Sequence, residues 1–203
     1  MPTGSDATRP RAKARITGVL IGNAEASPRF KGRIAGALYW LSVLIASIGE
    51  LFVHGSLKIA AGLIAVLGMT AMTLLLYQIF KPVSRSLSLL AAFFSLVGLS
   101  FEALRWQPWG VNVAIVFNGF YCLLMGYLIF RSAFLPRILG ALMTFAGLGW
   151  LTYVSTQLAN HLSPYNVASG LVGEGLVMLW LLVIGLNAQK WSEAAIARRV
   201  SPS

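Results

Sequence analysis

Cysteine is nearly absent from this chain. Cys122 is the only one in 203 residues, so neither an intrachain disulfide framework nor a cysteine-based metal site is available. Charge is scarce too: charged residues make up 11% of the chain, with only six acidic side chains and two histidines. A soluble globular domain carries about a quarter of its residues as charges, so this composition excludes that class. Catalytic constellations are missing as well. Cys122 and Ser95 have no histidine at matching depth to act as base, so the reading leans away from an enzyme. Haem held between helices needs facing histidines at depth, and His54 and His161 both fall near segment ends.

What the chain has instead is apolar length. Hydrophobic residues make up 57%, and the mean hydropathy is +0.75. Six runs carry it: Ile34–Val53, Ile59–Phe80, Leu87–Leu104, Val111–Phe130, Ile138–Leu158 and Val167–Leu186. Each is about 18 to 22 residues long, enough for a helix to cross a ~30 Å hydrocarbon core. The twenty glycines fit close helix–helix approach in a membrane. The fold class expected is all-α: a polytopic bundle of six transmembrane helices.

The basic residues orient it. With the N-terminus in the cytoplasm, all sixteen Lys and Arg except Lys58 and Arg105 fall on the cytoplasmic side. The positive-inside rule therefore predicts both termini cytoplasmic. The formal net charge of +10 is read as a topology and anionic-lipid signal, not as a nucleic-acid footprint. The expected organisation is a basic, disordered cytoplasmic arm over 1–32, a six-helix domain over 33–188 and a short basic tail over 189–203. The arm mimics a signal peptide, but its apolar stretch Ile16–Gly22 is only seven residues long, and cleavage would leave Arg29, Lys31 and Arg33 outside. It is read as an arm that rests on anionic lipid. Pro82 and Pro136 mark the cytoplasmic turns, and Trp106 and Trp109 an outer interface.

Three stretches carry a resemblance. The run Tyr77-Gln-Ile-Phe-Lys-Pro-Val-Ser-Arg85 and on to Ala92, the run from Cys122 to Gly140, and Gly173-Glu174 ahead of Leu179-Trp180-Leu181-Leu182 resemble signatures of a bacterial multi-pass membrane family catalogued as domain of unknown function 4386. The resemblance spans about residues 33–187. Family members often have histidine where this chain has Tyr121, and a longer outer segment where it has His54–Lys58. The resemblance implies a bacterial inner-membrane location and carries no established activity.

Polar groups within the runs are the candidate site. An ionisable side chain at the bilayer centre costs about 2.5–3.5 kcal/mol on insertion scales, so each needs a reason. Glu50 and His54 are four apart on the first run, and Glu102 and Arg105 three apart on the third, where they are expected to pair. Asn118 and Cys122 share a face of the fourth, and Gln157 and His161 of the fifth. Glu174 falls about 15 Å below Pro164 at ~1.5 Å per residue, near the midplane, with Asn118, Tyr121 and Tyr153 as candidate partners. Glu174, Glu50, His54, Asn118, Glu102, Arg105 and His161 are therefore the ligand-binding or proton-linked candidates. No metal set or cofactor is assigned, since only Glu50/His54 has a spacing that enforces convergence. The function expected is small-solute binding or transport through an outward-facing polar cavity. The alternative is a non-catalytic accessory or scaffold subunit. The partners expected are the lipid bilayer, anionic lipid at the arm, and either a second copy or another subunit of a membrane complex.

Overall fold

A computed structural model of the chain describes residues 27–200. Among them are eight α-helices and no strand: α1 (Pro28–Phe52), α2 (Ser56–Phe80), α3 (Arg85–Ala103), α4 (Val113–Arg131), α5 (Arg137–Leu151), α6 (Thr156–Leu162), α7 (Tyr165–Val183) and α8 (Ala188–Val200). Six are long and apolar enough to cross a membrane, with α5 extended to Val154 by a 3-10 turn. Their outward faces carry large apolar side chains, such as Leu44, Phe52, Leu67 and Phe145, which a bilayer covers.

Local chemistry fixes the helix ends. Ser27, Ser84, Asn112 and Ser155 each accept a bond from a backbone N–H three residues on, the usual N-cap arrangement. Ser27-Pro28 starts α1 inside the segment expected to be a disordered arm over 1–32; residues 1–26 lie outside those described. This early start keeps three basic residues on the first turns. Arg29 Nε and a guanidinium nitrogen of Arg33 donate to the carbonyls of Ile184 and Val183 at the end of α7, and Lys31 Nζ donates to Gln78. Cations at a helix C-terminus meet its unpaired carbonyls and its dipole. The expected tail carries a helix as well, α8 over Ala188–Val200. Helix α8 folds back so that Trp191 Nε1 donates to the Ile79 carbonyl at 2.8 Å and Arg198 reaches the Lys81 carbonyl.

The six spans pack in chain order into a closed ring, α1 to α5 each on the next, α5 on α7 and α7 back on α1. Small residues make the seams. Gly119 and Gly126 of α4 face Gly147 and Gly140 of α5, and a Cβ added at Gly140 would stand 2.9 Å from the Gly126 carbonyl. Gly173 of α7 lies against α5, where its Cβ would come 2.7 Å from that of Ala146. Without a hydrophobic drive between helices in lipid, such close backbone approach is what holds them together.

A ring of six leaves an axial space that side chains must fill. In the half nearer the termini, Leu76, Phe80, Met125, Leu128, Met178 and Leu181 fill it and are almost completely buried. In the other half the inward positions are small, among them Ala46, Ser47, Gly62, Ala65, Gly98 and Ala114, and a cavity remains.

Candidate functional site

The cavity has a volume of about 360 Å³, and each of the six spans contributes to its wall. That is within the ~300–1,000 Å³ typical of small-molecule sites. Its floor is built by Glu174 of α7, Tyr39 of α1, Tyr121 of α4 and Trp150 of α5. Ser47 and Glu102, both exposed, stand near its mouth at the end of the bundle away from the termini.

Glu174 is the middle residue of α7 and is only 7% exposed. Three donors converge on its Oε1: Asn118 Nδ2 at 2.7 Å, Cys122 Sγ at 3.1 Å and Trp150 Nε1 at 2.5 Å. Asn118 and Cys122 are one turn apart on α4, so both reach the same oxygen. Trp150 arrives from α5 because Gly170, one turn before Glu174, has no side chain where the indole lies. The Tyr39 hydroxyl faces the same carboxyl. None of the three bonds falls on Oε2.

Tyr121 is different. It is 3% exposed, and its hydroxyl has no hydrogen-bond partner among the described residues, although it borders the cavity. A buried, unpaired hydroxyl is costly and calls for an explanation. In the same wall, Ser95 of α3 is tied to Thr73 of α2 by a 2.7 Å hydroxyl bond.

The other candidates gather elsewhere. Glu50 near the end of α1 pairs with Lys58 at 3.0 Å and with Arg105 at 4.0 Å. Arg105 thus reaches α1 instead of Glu102, the partner expected three residues earlier. It lies past the end of α3 with φ of 50°, and this left-handed turn redirects it from the α3 face. Its guanidinium stands beside Gly62 at the mouth. His54 is exposed and follows the end of α1 at Phe52, so it shares no helical face with Glu50. His161 and Gln157 are exposed on α6, a separate helix rather than the continuation of the fifth span expected to Leu158. Among the described residues, no group of three or more His, Cys, Asp or Glu converges as a metal set would require.

The site therefore joins Asn118 to Glu174, brings Glu102 to the mouth and leaves His54 and His161 outside. Sequence reasoning missed Trp150, Tyr39 and the donor role of Cys122. A tryptophan well inside an apolar run, rather than at its end, was the available signal.

An uncharacterized protein from Archaeoglobus fulgidus is 29% identical over 121 residues, covering 54% of this chain and 72% of that one. No solved structure matches the chain. Residues 99–185 match the model of the family described as Domain of unknown function (DUF4386), a segment that holds Asn118, Tyr121, Cys122, Trp150 and Glu174 but not the Tyr77–Ala92 run.

Proposed function

We propose that the chain binds a small solute in the axial cavity, in a bacterial cytoplasmic membrane with both termini inside and the cavity mouth facing outward. The observation that carries this reading is a cavity running from Glu102 down to Glu174 and lined by Tyr121, whose buried hydroxyl has no hydrogen-bond partner among the described residues. The asymmetry of Lys and Arg supports the orientation. Glu174 is the group through which binding or passage would couple to a proton. The titratable groups facing it are Tyr39 from α1 and Tyr121 and Cys122 from α4, and among the described residues no Lys, Arg or His is part of the wall.

Cysteine accessibility tests the reading. Ser95→Cys, placed in the cavity wall, is expected to react in intact cells with a small membrane-impermeant methanethiosulfonate, and Ser47→Cys to react faster. The buried Cys122 of the unmodified chain serves as background. A Ser95→Cys that stays inert while Ser47→Cys reacts would mean that no solute reaches the interior.

A scaffold reading has its own support. One oxygen of Glu174 accepts donors from both α4 and α5, so this carboxyl ties three helices. A group that serves only this purpose has no need of an open cavity above it.

A further inference from the structure

Resting on the proposal that the cavity binds a small solute, we infer that its ligand is an organic ammonium ion: one positive charge on a compact, mainly apolar body. The charges of the wall point this way. Two carboxyl groups, Glu174 at the floor and Glu102 at the mouth, line the cavity; the Arg105 guanidinium stands beside Gly62 at the mouth, and among the described residues no cationic side chain lines the floor. Within a bilayer an ionised carboxyl is costly unless it takes up a proton or meets a counter-charge, and a bound cation supplies the second. An anionic solute would add to the imbalance, whereas an ammonium removes it.

The floor has the further features such a ligand uses. The donors from Asn118, Cys122 and Trp150 all reach Oε1, and with only the Tyr39 hydroxyl besides facing the carboxyl, Oε2 has acceptor capacity left. Tyr121 also lines the floor, and its hydroxyl, unpartnered among the described residues, is the acceptor proposed for a second ammonium N–H. Tyr39, Tyr121 and Trp150 supply aromatic rings, whose faces attract cations. Above them the wall turns apolar, with Val66, Met69 and Leu99, which fits a hydrocarbon or aromatic body.

Three probes of one size separate charge from shape: 2-phenylethylammonium, 2-phenylethanol and 3-phenylpropionate. Each is titrated by calorimetry into the full chain in lipid nanodiscs, with empty nanodiscs subtracted. The ammonium is expected to saturate, the alcohol to bind at least tenfold more weakly and the propionate not to bind. Glu174→Gln should weaken the ammonium at least tenfold while changing the alcohol less than twofold. Tyr121→Phe guards against misfolding, since its hydroxyl holds no protein partner; it should weaken the ammonium several-fold with no loss of thermal stability. If the alcohol binds as tightly as the ammonium, or Glu174→Gln keeps ammonium affinity, the ligand class is wrong and the cavity still binds a solute. If none of the three saturates, both the inference and the solute-binding reading fall.

Discussion

Asn118 on α4 donates its amide to Oε1 of Glu174 on α7 across 2.7 Å, joining two helices that are not neighbours in the ring. The bond bridges the two helices that flank α5, and Cys122 and Trp150 add donors to the same atom.

Two substitutions separate structure from function at this atom. Glu174→Gln keeps an acceptor oxygen, so the melting temperature in detergent should change little while ammonium binding falls. Glu174→Leu removes the acceptor and strands buried donors, at about 1–3 kcal/mol for each one left unpaired. Its melting temperature should drop clearly. An unchanged melting temperature for the leucine variant would exclude the scaffold role.

Gly173→Leu is expected to push α7 from α5, because even a Cβ there would come 2.7 Å from Ala146. Overpacking of this kind costs about 1–3 kcal/mol, more when backbone blocks the added atoms. Gly62→Ala is the control, since the nearest atom to its added Cβ is an arginine nitrogen at 4.0 Å. Thermal unfolding in detergent should show a loss for the first and almost none for the second.

Impermeant maleimide labelling of intact cells tests the orientation. Ser56→Cys and Ser163→Cys, both exposed, should react from outside, and Ser86→Cys only after permeabilisation. Reaction of Ser86→Cys in sealed cells would invert the topology. Ser132 is unsuited to the purpose because it is 6% exposed.

Arg105→Ala removes the guanidinium beside Gly62 and its 4.0 Å pairing with Glu50. Both side chains are more than half exposed, and such pairs contribute about 0–1 kcal/mol, so the melting temperature should hold. Modification of Ser95→Cys should instead become faster as the mouth opens. An unchanged rate would show that Arg105 does not screen the entrance.

How much of this was legible varies by residue. The six spans were, because length and hydropathy are properties of consecutive residues. Their ends were less so: Ser27-Pro28 is a capping signal that the positive charges of Arg29, Lys31 and Arg33 obscured, and the fifth span ends with a 3-10 turn at Val154, short of the expected Leu158. At the site, Asn118 could be matched to Glu174 by depth. Pairing Glu102 with Arg105 failed because helical spacing does not hold once the helix ends at Ala103.

The amino-acid sequence by itself determined how deep each residue lies, since on a helix that follows from counting at ~1.5 Å per residue from a charged end. Only the tertiary structure decided which way each residue faces around its helix axis and which helix it meets. Tyr39 and Glu174 are 135 positions apart and face each other only because α7 closes the ring on α1. That closure depends on glycine seams at every neighbouring pair but α2 and α3, which share the Thr73–Ser95 bond, and so does the cavity left where small residues from several helices fall at one depth.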